Sequence, residues 1–168
     1  MANESSLVNS QNTTTTNSNN ITNHIVINNF SQDNINFISD KFIKHVFERL
    51  KEPSLHHLTI PVIIENIKFN SAHKENNNVK ITNIRSKVAK KYTNNKWMTV
   101  DKNDLLTELY KMGGELLDKW CDEKNGILTD DMKHYHEKYK QITNLVIKNS
   151  AKNELNKKAY IYTQNHLI

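Results

Sequence analysis

Cysteine is nearly missing from this chain: Cys121 is the single one in 168 residues. One thiol cannot close a disulfide within the chain, and it excludes a cysteine-based zinc site built by one copy alone. Proline and glycine are also scarce, at two and three residues. Most turns must then fall to asparagine, which tolerates the left-handed backbone region better than other residues with a side chain. No uninterrupted apolar run approaches the twenty residues of a membrane-spanning helix, and no charged-then-apolar leader opens the chain. The expectation is no membrane partner and no secretion, with a reducing intracellular setting. Catalytic frames are lacking as well. A Gly-rich phosphate loop, a Ser-His-Asp order and paired carboxylates in a recognisable frame are not found, so the chain is expected not to be an enzyme and to use no cofactor and no metal.

Mean hydropathy is -0.73 and apolar content 36 %, both low for a globular protein, and net charge is +5. The apolar residues are nevertheless clustered and periodic, which favours a folded body with polar appendages over general disorder. An Asn-, Lys- and Ile-rich composition is what an AT-rich genome would encode. Residues 1–20 are Ser, Thr and Asn with almost no apolar side chains, so nothing offsets their ordering entropy and they are expected to form a disordered tail. Residues 21–148 then read as a single domain, and residues 149–168, where the pattern fades, as a loosely ordered tail.

The apolar spacing predicts the elements. Ile21, Ile25 and Ile27 on one parity with Val26 and Phe30 on the other suggest a strand that needs cover on both sides, a candidate association element; His24 reads as a polar residue of that strand. Ser39 caps a helix with a Phe42, Ile43, Val46, Phe47, Leu50 stripe that ends before Pro53. Thr59 is expected to cap the next helix, with Pro61 in its first turn, and residues 59–69 are apolar almost all round, as in a buried central helix. Their β-branched residues leave a strand reading open. Val79 to Thr82 alternates. Residues 87–100 read as a β-hairpin turning at Asn94-Asn95, which sets Tyr92 opposite Trp97 on one face with Lys90 and Thr99, and pairs Ala89 with Val100 on the other. Asp101 and Asp104 open a helix whose Gly113-Gly114 predicts a kink or a break, at about 2 kcal/mol of lost helix propensity. Thr129 caps a last helix over 130–148, where Met132, Tyr135, Tyr139, Ile142 and Val146 keep a 3, 4, 3, 4 spacing like a coiled-coil seam. That stripe serves either self-association or packing on the preceding helix. The fold class is thus α+β, about four helices packed on a small antiparallel sheet.

Ile60-Pro61, Ile64, Ile67, Phe69-Asn70, Glu75-Asn76, Asn78 to Asn83, Val88, Tyr92, Lys96-Trp97 and Asp101-Lys102 form a scattered pattern over roughly residues 25–124. In it the chain resembles the C-terminal domain of uncharacterised proteins of mimivirus-like giant DNA viruses, a domain often preceded by a C2H2-type zinc finger and an Asn-rich linker. Lys68 and Lys74 depart from that pattern, standing where a His and a Pro are expected, and no zinc-finger cysteines lie upstream. The resemblance implies a viral origin, with the host cytoplasm, the viral factory or the virion as the setting, and carries no established mechanism.

Charge is the strongest functional signal. Between Lys68 and Lys102 stand nine basic residues against two acids, Glu75 and Asp101. A basic hairpin with two aromatic rings is the combination that single-strand binders use. Its candidate contacts are Arg85, Lys87, Lys90, Lys91, Tyr92, Lys96 and Trp97, with DNA or RNA as the partner. Against this, the two rings can fill the core while the lysines are simply solvated. A nuclease built on His56-His57 with Asn70, His73 and Asn76 is disfavoured by the apolar helix between the two groups. His134 and His136 flank Tyr135 and point to different sides of a helix, so they form no chelating pair. The leading expectation is a non-enzymatic viral structural or assembly module that self-associates through Ile25, Ile27, Met132, Tyr135, Tyr139, Ile142 and Val146. The alternative is a nucleic-acid-binding accessory protein using the basic hairpin.

Overall fold

Five α-helices and three strands follow one another along residues 25–166, the part of the chain that the structure, a computed structural model, describes. They are α1 (Asp40–Arg49), α2 (His56–Lys68), β1 (Val79–Lys80), β2 (Val88–Thr93), β3 (Lys96–Asp101), α3 (Lys102–Glu123), α4 (Asp130–Ile142) and α5 (Leu145–Asn165). The fold is α+β, as expected. The proposed tail over residues 1–20 and His24 lie outside the described residues. Residues 25–29 take no strand pairing; they form an extended strap, held where Asn28 N donates to the Glu75 carbonyl and Phe30 N to the Tyr92 carbonyl.

The central helix is α2, with Ile60, Ile63, Ile64 and Ile67 almost fully buried. Helix α5 runs along it more extensively than any other element does, and α1 and α3 pack on its other sides. It begins earlier than expected. A 3-10 turn at Pro53–Leu55 leads directly into His56, so Thr59 is not the cap but a buried residue of the second turn, its hydroxyl directed at the Leu55 carbonyl. Pro61 consequently sits inside the helix and removes one backbone hydrogen bond there. Ser39, Asp101 and Thr129 do cap α1, α3 and α4, accepting from Phe42 N, Asp104 N and Met132 N.

Helix α3 runs unbroken through Gly113-Gly114, where a kink or a break was expected, so there is no break. The reason is contact with α2: a Cβ at Gly113 would lie 2.6 Å from Ile60 Cγ2, so the missing side chain is what lets the two helices approach. Nothing lies within 4 Å of the corresponding position at Gly114.

The C-terminal third departs most from expectation. The seam is not one helix: α4 stops at Ile142, Thr143 is extended, and Asn144 caps α5 by accepting from Ile147 N. Val146 therefore belongs to the next helix. Met132 and Tyr139 are buried in the core of the single chain, Tyr135 is partly buried against it, and Ile142 and Val146 are exposed. Residues 149–165 are ordered helix rather than a loose tail. They bury Ala151, Leu155, Ala159 and Thr163, a stripe in which three of the four are small, so that α5 lies close on its neighbours while contributing little to hydropathy.

Lys68 was counted with the basic ribbon, yet its side chain has no accessible surface. Its ammonium donates to the Phe30 carbonyl (2.7 Å) and Asn78 Oδ1 (2.8 Å) and pairs with Asp33 Oδ2 (2.7 Å). All three of its N–H donors are thereby used. Burial pushes its pKa down to about 8, opposed by the Asp33 charge. Two buried asparagines complete the attachment of the strap. Asn76 Oδ1 accepts from Asn28 Nδ2 and Asn34 N, and its amide donates to the Asn34 carbonyl at 2.6 Å. Asn78 Nδ2 donates to Asp33 Oδ1 at 2.8 Å.

At neutral pH Lys68→Met leaves the Asp33 carboxylate, 6 % exposed, without its counter-charge, and is expected to cost about 3–5 kcal/mol in urea unfolding. In the native protein Lys68 releases its proton near pH 8, the unfolded chain only near 10.5. Between those values the unfolded state holds the extra proton, so the contribution of Lys68 to stability rises with pH across that window, and the slope disappears in Lys68→Met. At the glycine pair the two substitutions should diverge. Gly113→Ala forces Ile60 aside and is expected to destabilise by roughly 1–3 kcal/mol, whereas Gly114→Ala gains helix propensity and stabilises by about 1 kcal/mol, both read as shifts in the urea midpoint.

Candidate nucleic-acid interface

Asn94 and Asn95 both adopt positive φ, 51° and 59°, the two-residue turn that matches strand twist. Closure there fixes the expected register: Tyr92 opposite Trp97, Lys90 opposite Thr99, Ala89 opposite Val100. Strand β1 adds Lys80 opposite Lys90 and Val79 opposite Lys91, giving the order β1-β2-β3, all antiparallel. Because side chains alternate, this register sorts the basic residues onto two faces.

The inward face carries Val79, Ala89, Lys91 and Val100; β2 and β3 pack there on α3, and β1 lies against α5. Lys91 is neutralised there, its ammonium 2.7 Å from Glu108 Oε2 and 4.9 Å above the Phe30 ring. It is therefore not a free phosphate contact. The outward face carries Lys80, Lys90, Tyr92, Trp97 and Thr99. The Tyr92 and Trp97 rings meet edge to face with centroids 5.4 Å apart, and Lys80 Nζ lies 4.4 Å over the indole. Both rings are half-buried, neither being enclosed in the core. Asp101, at the end of this face opposite Val88, has its carboxylate engaged in capping α3.

Around the sheet, Arg85 and Lys87 are exposed on the loop entering β2, and Lys96 is exposed beside the turn. Lys102 is turned back, donating to the Ile84 carbonyl at 2.6 Å. The structure thus brings together Lys90, Tyr92 and Trp97, places Arg85, Lys87 and Lys96 at the margin, and removes Lys91. It adds Lys80. The sequence signal for Lys80 was the alternation of Val79 to Thr82, which puts it on the opposite face from buried Val79 and Ile81.

Elsewhere, sequence reasoning missed the pairing of His136 with Asp118. The imidazole is buried beside the Phe47 ring, with Nε2 2.9 Å from Asp118 Oδ1. Burial lowers its pKa, opposed by the Asp118 charge. His134 is exposed on the other side of α4, as expected from the helical spacing. Burial raises the Cys121 pKa, with the Asp122 charge acting in the same direction. Among the described residues no group of three or more His, Cys, Asp and Glu is placed to hold a metal ion, and no helix is long and apolar enough to cross a membrane. The chain matches no protein-family model, no curated protein and no solved structure.

Proposed function

We propose that the outward face of the sheet binds single-stranded DNA or RNA, as an accessory activity without a catalytic step. The observation that supports this reading is the Tyr92–Trp97 pair, set across two strands on the outward face with the Lys80 ammonium over the indole and Lys90 beside it. Stacking on a ring is indifferent to base identity, and neighbouring ammonium groups meet the phosphates. Arg85 and Lys87 extend the positive track past the end of β2. An ammonium that already rests on the aromatic face has a short distance to move to meet a phosphate, leaving the ring to a base.

The test is fluorescence anisotropy with labelled single-stranded oligonucleotides. Four phosphate contacts, from Lys80, Arg85, Lys87 and Lys90, give a log–log salt slope of roughly -2.8, or about a 50-fold weakening between about 50 and 200 mM salt. Trp97→Ala is expected to cost about 1–3 kcal/mol of binding, as the loss of one stacked base does. Absence of binding at low salt, or binding that Trp97→Ala leaves unchanged, would falsify the reading.

A second reading, self-association, is favoured by one feature: Ile142, Leu145 and Val146 lie within five residues at the α4–α5 corner, and the last two are each 71 % exposed. Of the seam residues, only this end remains available, since Met132 and Tyr139 are used inside the chain. Leu145→Asp with Val146→Asp should change monomer stability by less than about 0.5 kcal/mol. The double variant should also abolish any rise in mass with concentration seen by light scattering. A wild-type chain that stays monomeric at both low and high concentration removes this reading.

A further inference from the structure

Beside the outward face, at the free edge of β1, a cavity of about 240 Å³ opens between the strap, the segment preceding β1 and the last turn of α5. We propose that it takes a single nucleobase of the bound strand, turned out from the nucleotides lying on the sheet. The inference rests on the nucleic-acid reading above and names the part of the ligand that enters this pocket.

Size comes first. Pockets for drug-sized molecules run to roughly 300–1,000 Å³, so this one suits a small flat group rather than a whole dinucleotide. Its apolar lining comes from Ile25, Ile27 and the largely buried Val79. The wall is aromatic: Tyr162 lies with its centroid 5.8 Å from that of Phe69, and His166 stacks on Tyr162 at 4.0 Å with planes 17° apart. A planar heterocycle extends such a stack in the way bases extend aromatic platforms elsewhere.

Polarity narrows the class further. Asn77 donates its amide N–H to the Tyr162 hydroxyl, while its Oδ1 is buried and has no hydrogen-bond partner among the described residues. Asn77 lines the pocket, and a small rotation of its side chain would offer that oxygen to a ring edge bearing N–H donors, which supplies what it lacks. An apolar side chain of a peptide would fill the space and leave that oxygen unmatched. Charge then distinguishes a nucleotide from a neutral heterocycle: Lys74 and Lys80 both line the pocket. Lys80 is also the residue whose ammonium covers Trp97 on the sheet. One lysine therefore stands between the two sites, where the phosphate joining a stacked nucleotide to an inserted one would pass.

The experiment is an NMR titration of the full chain, first with each of the four nucleoside monophosphates and then with single-stranded oligonucleotides. Mononucleotides are expected to shift the Asn77 side-chain amide and the Tyr162 and His166 ring signals, with one base favoured over the weakest by roughly fivefold, the size of one net hydrogen bond. Asn77→Leu should level that preference. Lys74→Glu, at an exposed site that the fold does not use, should weaken all four nucleotides severalfold with the amide spectrum otherwise intact, so the proposal remains testable if Asn77→Leu fails to fold. Oligonucleotide shifts confined to Trp97 and Lys90, with the pocket signals unmoved, overturn the pocket while leaving the sheet reading in place. Pocket shifts with mononucleotides but none at Trp97 with any oligonucleotide overturn the sheet reading, and with it the strand from which the base would come.

Discussion

An ammonium group with no route to water organises this molecule. Lys68 ends the central helix α2 inside the protein, and a charge there is tolerable only if every donor finds an acceptor. The acceptors come from both directions along the chain: the Phe30 carbonyl and Asp33 from the segment that follows the strap, Asn78 from the segment entering β1. The Phe30 ring lies 4.0 Å from that ammonium and 4.9 Å from Lys91, whose charge is answered by Glu108 of α3. Strap, α2, β2 and α3 are thus tied together around one phenyl ring. Hydrophobic burial supplies most of the driving force, and the ion pair fastens the Phe30–Asp33 segment to the end of α2.

That arrangement decides what the sheet can do. With three strands, one of them two residues long, the sheet has little capacity to stand alone, and it relies on α3 for cover. Packing on α3 takes Ala89, Val100 and Lys91 inward, so the parity of the strands leaves Tyr92, Trp97, Lys80 and Lys90 outward. The cationic and aromatic character of the exposed face is the complement of what the core required. The strap has a part here too. Asn29 Oδ1 accepts from Asn95 N at the hairpin turn, holding the end of the platform near the pocket edge formed by Ile25 and Ile27.

Some of this could be read directly from residue order. The hairpin register was legible because Asn94-Asn95 admits few turn geometries, and once the turn is set every cross-strand partner is counted off from it. The caps at Ser39, Asp101 and Thr129 were legible for a similar reason: each acts on an amide two or three residues away. Gly113-Gly114 misled because propensity is a local quantity, while the value of the missing Cβ depends on Ile60 of another helix. Helix α5 escaped notice because its inner stripe is Ala151, Leu155, Ala159 and Thr163. Apart from Leu155 these are small residues, which carry little hydrophobic signal yet permit the closest packing.

The candidate site divides along the same line. Local sequence determined that a basic, aromatic hairpin exists, which rings face each other across it, and that Lys90 shares their side, because alternation and turn chemistry act over a few residues. Tertiary structure alone decided that Lys68 is buried, that Lys91 is neutralised and that Met132 and Tyr139 of the apparent seam are core. Those outcomes depend on charges and surfaces separated by tens of residues, and a lysine carries no mark in the sequence of whether an acid or water will meet it.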